Sequence, residues 1–114
     1  MQVGNLMKVL NLFRQKEEDI PIGTILAFLY LMDRGEATVS NLDSYFNLGK
    51  SRASRNMRNL TDRARPGKAG IGVASYEPDP NDFRVAIFKL NDEGEQLAQE
   101  IRDLLKASGL RTET

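Results

Sequence analysis

Residues 42–60 read LDSYFNLGKSRASRNMRNL, and the fold turns on them. Leu42 and Phe46 stand at i and i+4, the inward face of a short helix for which Thr38 is the expected N-cap. Asn47-Leu48-Gly49 is a tight turn. After it Ala53, Met57, Leu60 and Ala64 recur at i, i+4, i+7 and i+11, the apolar stripe of a second helix of about 15 residues that Pro66-Gly67 ends. Lys50, Ser51, Arg52, Ser54, Arg55, Arg58 and Asn59 lie off that stripe. A short helix, a tight turn and a longer helix with a basic outer face form a helix-turn-helix signature.

The flanks extend the pattern. Val3, Leu6, Leu10 and Phe13 keep helical spacing, with Met7 beside them, and predict a helix over residues 3–18. Asp19-Ile20-Pro21 is a stop and restart, since proline suits the first turn of a helix. The next helix runs to about Met32 and is apolar nearly all round, through Ile25, Leu26, Phe28, Leu29, Leu31 and Met32, as a central buried helix should be. Asp33-Arg34-Gly35-Glu36 is a turn. Beyond the basic helix, Lys68 to Gly72 reads as a flexible link. The run from Val73 to Glu77 and the run of Val85, Ile87, Phe88 and Leu90 then flank a turn-rich tip at Pro78–Asp82, a β-hairpin. Asn91 caps a last helix whose first turn holds Asp92, Glu93 and Glu95, where the helix dipole favours acids. Leu97, Ile101, Leu104 and Leu105 are its apolar stripe, and the polar tail from Ser108 is expected to fray.

Composition narrows the chemistry. The chain has 114 residues, enough for one domain spanning residues 1–114: an N-terminal helix (1–18), a core with its hairpin (19–90) and a C-terminal helix (91–108). It has no cysteine and no histidine, which excludes disulfides, thiol nucleophiles and the commonest metal ligand. Asp79 and Asp82 lack a third ligand, so no metal is expected. Gly67, Gly70 and Gly72 lack the Lys-Ser/Thr of a phosphate loop. We therefore expect no enzyme and no cofactor. The longest apolar run, Ile25–Met32, falls far short of the roughly 20 residues of a bilayer-spanning helix. The N-terminus does not read as a signal peptide, and a cytoplasmic location follows as the expectation.

Net charge is zero, with 16 basic and 16 acidic residues, but the distribution is uneven. Residues 50–70 carry Lys50, Arg52, Arg55, Arg58, Arg63, Arg65 and Lys68 against Asp62 alone, a local charge of +6. Polyanions respond to such a local field, not to the whole-chain sum.

Helix, helix, short helix, tight turn, basic helix, hairpin, helix is the order of a winged helix-turn-helix, a mainly α, α+β fold with a two-stranded β-hairpin wing. A helix some 10–12 Å across fits the DNA major groove. Three segments strengthen the reading. Residues 42–60 include the pair Ser54-Arg55; residues 79–84 include Asp82 and Arg84 spaced as Asp-x-Arg; and Leu90-Asn91-Asp92-Glu93-Gly94 opens the last helix. Together these resemble the MarR-type transcriptional regulators over about Pro21 to Leu105.

The resemblance implies a homodimer that binds a pseudo-palindromic operator in double-stranded DNA, more as a repressor than an activator, with a small-molecule effector left open. It implies that Lys50, Ser51, Arg52, Ser54, Arg55, Arg58 and Asn59 contact the major groove and phosphates. Arg84 would be the minor-groove arginine at the wing tip, its guanidinium held by Asp82. The chain departs from the family in being shorter, in lacking a second long C-terminal dimerisation helix, and in a longer, glycine-richer link over Arg65–Gly72. Leu6, Leu10, Phe13, Leu97, Ile101, Leu104 and Leu105 are expected at a two-fold interface, since one small domain has little core to cover four apolar stripes. Phe13, Phe28, Tyr30, Tyr45, Phe46 and Phe88 are read as core. Two rival functions use the same fold: a winged-helix module that binds a protein, and a DNA-binding replication or partition accessory factor.

Overall fold

A computed structural model describes residues 3–107. Their elements in chain order are α1 (Val3–Lys16), α2 (Ile22–Arg34), β1 (Glu36–Ala37), α3 (Val39–Phe46), α4 (Lys50–Asn59), β2 (Arg63–Arg65), β3 (Lys68–Ala69), β4 (Ala74–Asp79), β5 (Asp82–Leu90) and α5 (Asp92–Ala107). The tail from Ser108 lies outside the described residues. No helix among them is long and apolar enough to cross a membrane.

Phe28, Leu31, Leu42, Met57, Leu60, Val73, Phe88 and Ile101 are fully buried in one cluster to which all five helices and the main hairpin contribute. The central helix α2 begins at Pro21, its N-cap, and stops at Gly35, whose φ of 86° suits only glycine well. Helix α3 is capped as its sequence predicts. The Thr38 hydroxyl accepts from Asn41 N at 3.1 Å, and Asn41 Oδ1 accepts from Thr38 N at 2.9 Å, a reciprocal capping box. The turn into α4 uses Asn47 in the left-handed region (φ 55°) and Gly49 (φ 89°), and Asp43 Oδ1 accepts from Gly49 N at 2.8 Å.

The sheet has the order β1-β5-β4, all antiparallel. Its short strand β1 falls where the sequence reads as turn, and it pairs Glu36 and Ala37 with Lys89 and Phe88. In the hairpin, Asp79 pairs with Asp82 around Pro80-Asn81, so the strands reach much closer to the tip than the sequence suggests. Phe88 is the buried residue of β5, and Ala86 and Leu90 on the same face pack against the core. Asn91 caps α5: its Oδ1 accepts from Gly94 N at 2.9 Å and its Nδ2 donates to the Gly72 carbonyl at 3.0 Å.

Three expectations are corrected. The basic helix ends at Asn59, not Ala64, after 10 residues. The chain then turns because Thr61 donates its hydroxyl to the Arg58 carbonyl at 2.7 Å. The returning segment supplies the donors that another helical turn would have supplied: Ile71 N to Asn59 O at 2.9 Å, and Val73 N and Ala74 N to Leu60 O at 2.8 and 3.0 Å. Second, residues 63–69 are not helix end and loose link but a small hairpin. Arg63 pairs with Ala69 and Arg65 with Lys68 around Pro66-Gly67, and Gly67 has φ 80°, the Pro-Gly order of a type II turn.

The third correction concerns the interface. Phe13, Leu97 and Ile101 are buried within the chain itself, at 0%, 4% and 0% exposure. Phe13 packs edge-on against Phe28 at 5.3 Å, and Leu97 and Ile101 close the core beneath α1. They are not free to face a partner. Leu104 and Leu105 are half-buried against the same core. Only Leu6 and Leu10 of the expected set stay exposed, and Val3 and Met7 join them in one stripe on α1. Tyr45, read as core, is 60% exposed and instead stacks beside Tyr30 and Phe46 on the surface.

Candidate nucleic-acid interface

Helix α4 is held by polar contacts at its base. Gly23 of α2 faces Asn56 so closely that a Cβ built there would overlap the Asn56 amide. Across this close approach Asn59 Nδ2 donates to Thr24 Oγ1 at 3.0 Å, and the Thr24 hydroxyl donates to Asn56 Oδ1 at 2.9 Å. Thr24 is fully buried, so its bond to Asn56 forms where water does not compete, while the bond from half-buried Asn59 closes the network at its edge. They set how α4 sits on α2. Asn59, predicted from sequence as a DNA contact, donates from its amide nitrogen to this network and also lines one of the grooves beside α4.

The outer face of α4 forms a ridge. Ser54 and Arg58, one turn apart, border a groove on each side. One groove, of about 320 Å³, is lined by Lys50, Ser54 and Arg58 together with Arg84 of the β4–β5 wing and the start of α3. The other, of about 310 Å³, is lined by Ser51, Ser54, Arg55 and Arg58 with Arg65 and Lys68 of the β2–β3 hairpin. Arg52 is exposed on α4 and lines neither. The structure thus brings Lys50, Ser51, Ser54, Arg55, Arg58, Asn59 and Arg84 onto one surface.

The charges on this surface are largely uncompensated. Among the described residues no carboxylate pairs with Lys50, Arg52, Arg55, Arg58, Arg63, Arg65 or Lys68; the ion pairs are Arg14–Glu18, Arg34–Asp33 and Arg84–Asp82. The Arg58 guanidinium lies 5.8 Å from the centre of the Tyr76 ring of β4, a contact that leaves its charge intact.

At the wing tip, Arg84 and Asp82 form a fork. Arg84 Nε donates to Asp82 Oδ1 at 3.0 Å and Nη2 to Oδ2 at 3.2 Å, while Asp82 Oδ1 also accepts from Arg84 N at 3.1 Å. The arginine side chain is nonetheless 90% exposed. The side-chain pair, and after it the backbone bond, lowers the Asp82 carboxyl below its ordinary value, and the side-chain pair raises the Arg84 guanidinium above its own. Between them Phe83 is 80% exposed, an apolar ring on β5 close to the tip of the wing. The arrangement holds a cation outward in a fixed orientation.

Sequence reasoning missed part of this surface. Arg65 and Lys68 were visible as charge but not as site residues, because their placement depends on a hairpin with strands of three and two residues, too short for periodicity to mark. Thr24 and Asn56 carry no sequence signal of their own; a buried threonine on an otherwise apolar helix was the available hint.

The fold and the site geometry together define a winged helix-turn-helix. No family model matches the chain, and no curated protein does. Solved structures match over most of its length. The reduced form of MarR from E. coli aligns with a TM-score of 0.64 at 18% identity, covering 93% of this chain and 77% of that one. A MarR mutant from E. coli complexed with operator DNA aligns at 0.62 and 17%, covering 93% and 75%. The YusO protein from Bacillus subtilis aligns at 0.62 and 17%, covering 91% and 70%. The likeness is one of fold, and it is the MarR-type winged helix that the sequence resembles.

Proposed function

We propose that this protein is a sequence-specific regulator of transcription that binds double-stranded DNA as a homodimer, recognises a pseudo-palindromic operator and acts as a repressor. The observation that carries the reading is the α4 ridge: a helix narrow enough for the major groove, with Lys50, Arg55 and Arg58 outward and without carboxylate partners among the described residues. Ser51, Ser54, Arg55 and Arg58 would contact base edges and phosphates, with Lys50 and Arg52 at the backbone. Arg84, presented by Asp82, would reach the adjacent minor groove. The DNA-bound MarR mutant among the similar folds supports the same assignment.

The homodimer reading rests on α1. Val3, Leu6, Met7 and Leu10 are 71%, 41%, 62% and 42% exposed and lie along one side of the helix, an apolar stripe that a second copy would cover. Two copies joined there would offer two α4 helices, which a two-fold operator reads about 34 Å apart.

The test is fluorescence anisotropy with labelled duplexes, random and taken from around the protein's own gene, over a salt series. Steeply salt-dependent binding that prefers some fragments, and falls in Arg55→Ala and in Arg84→Ala, supports the reading. Binding that is absent at low salt, or equal in all three proteins, overturns it and returns the fold to a protein-binding role.

A further inference from the structure

The β2–β3 hairpin occupies a place that the helix-turn-helix pattern leaves empty. It follows α4 directly, and its buried residue, Ala64, anchors it while Arg63, Arg65 and Lys68 stay exposed. Arg65 and Lys68 share a groove with Ser51, Ser54, Arg55 and Arg58, the face of α4 assigned above to DNA. On the opposite side of the Ser54–Arg58 ridge the β4–β5 wing offers Arg84. Helix α4 is therefore flanked by a hairpin on each side, and each hairpin presents exposed cations to it, Arg84 from one and Arg65 and Lys68 from the other.

The small hairpin is also fixed in place. Gly70 N donates to Asp62 O at 3.1 Å, Ile71 N to Asn59 O at 2.9 Å and Gly72 N to Thr61 O at 3.1 Å, which stitches its base to the end of α4. Gly70 lies so close to the Thr61 carbonyl oxygen that a Cβ would overlap it. Asp62, the one acid in the segment, lines a third groove with Arg58, Arg63, Arg65 and Tyr76, and among the described residues it forms no ion pair with any of these cations. A short, stitched hairpin positions its cations with less loss of freedom than a loose loop would incur.

We propose that the β2–β3 hairpin is a second wing, in which Arg65 and Lys68 bind phosphates of the DNA strand bordering the major groove on the side away from the β4–β5 wing. The inference rests on the DNA-binding reading above and adds to it a contact surface and its ligand, the phosphodiester backbone. A helix seated in a groove about 12 Å wide has a phosphate wall on each side. The main wing crosses one wall toward the minor groove, and the small hairpin faces the other. Two positive side chains without base-reading geometry contribute affinity to every sequence alike.

The experiment compares wild type with Arg65→Ala/Lys68→Ala and with the charge-preserving swap Arg65→Lys/Lys68→Arg. Anisotropy is read on random duplex and on the best-bound fragment from around the gene, from low to moderate salt, together with hydroxyl-radical footprints. In the alanine variant the slope of log K against log salt becomes shallower by about two per protomer, since each phosphate contact contributes about 0.9. Affinity for random and preferred duplex falls by the same factor, and footprint protection shrinks on the strand away from the main wing. The swap keeps the wild-type slope, which separates lost charge from a distorted hairpin. Wild type that binds, with an alanine variant of unchanged slope and footprint, overturns the second wing and leaves the regulator reading standing. A swap that loses as much slope as the alanine variant overturns it too, by assigning the effect to hairpin shape. Wild type that binds no duplex at all overturns both.

Discussion

Replacing Thr24 by valine tests the contact that orients α4. Valine has nearly the shape of threonine and exchanges one hydroxyl for one methyl, so packing beside Gly23 is preserved. Two hydrogen bonds are lost, from Asn59 Nδ2 at 3.0 Å and to Asn56 Oδ1 at 2.9 Å. They do not cost the same. Asn59 is only half-buried, and water can take up its amide. Asn56 is 9% exposed and its carbonyl oxygen is left facing a methyl group. A stranded buried polar group costs about 1–3 kcal/mol, so we expect about 2 kcal/mol from Asn56 with a small remainder from Asn59. For a domain of this size that lowers Tm by roughly 8 °C. The assay is thermal unfolding by far-ultraviolet circular dichroism, because the chain has no tryptophan. Protein concentration is held constant, since self-association would make Tm depend on it. A second variant isolates the pair: in Thr24→Val/Asn56→Leu both partners are apolar, and most of the loss should be recovered, with a coupling of about 1–3 kcal/mol between the sites. A Thr24→Val protein that melts with wild type, or a double variant that simply adds two losses, would refute the claim that this network carries the α2–α4 packing.

Met7→Glu/Leu10→Glu alters residues exposed on α1 and should leave the fold intact while shifting sedimentation from dimer to monomer; a dimer that persists would remove α1 from the interface. Ile101→Asn behaves oppositely, because that side chain is fully buried: we expect a loss of about 3 kcal/mol or more, visible as a lower urea midpoint. Gly70→Ala sets a Cβ against the carbonyl oxygens of Thr61 and Asn59, two backbone atoms that cannot swing aside, and should cost about 1–3 kcal/mol in the same titration. Asp82→Asn frees the Arg84 guanidinium without removing its charge. Duplex affinity measured by anisotropy should therefore fall less than in Arg84→Ala, and an equal fall would mean that the arginine acts only while the carboxylate holds it.

The parts of the fold legible in the sequence were those with local causes. Thr38, Asn47, Gly49 and Asn91 act through their own backbone or side chains within a few residues, and each stands where the sequence reading put it. The α4 stripe at Ala53, Met57 and Leu60 was readable for the same reason, as were the basic positions between them. What the sequence could not separate was burial in the chain's own core from burial against a second copy. Phe13, Leu97 and Ile101 have the spacing of either, and only the closing of α1 and α5 over α2 decides that they are spent inside. Leu6 and Leu10 share the helix with Phe13 yet remain outside, a difference of helix rotation that an apolar stripe does not encode.

Ala64 shows the same ambiguity in its sharpest form. It continues the i, i+4, i+7 series at i+11 and is buried, as a helical residue there would be. It is buried, however, by a strand that folds back on α4. The chain is diverted after Leu60 because the backbone donors of Ile71, Val73 and Ala74 take the carbonyls of Asn59 and Leu60. Those donors arrive from ten or more residues away, far beyond the i to i+4 spacing by which helical periodicity is read. Pro66-Gly67 carried the signal in another form: a Pro-Gly pair ends a helix, but it also turns a hairpin, and the choice depends on whether both flanks can pair. Arg63-Ala64-Arg65 and Lys68-Ala69 can. The consequence for the surface is large, since a helix continued to Ala64 would have carried Arg65 and Lys68 off its end. Folding them back places both beside Arg55 and Arg58, so that the charge of residues 50–70, a run in the sequence, becomes a flank on the α4 groove.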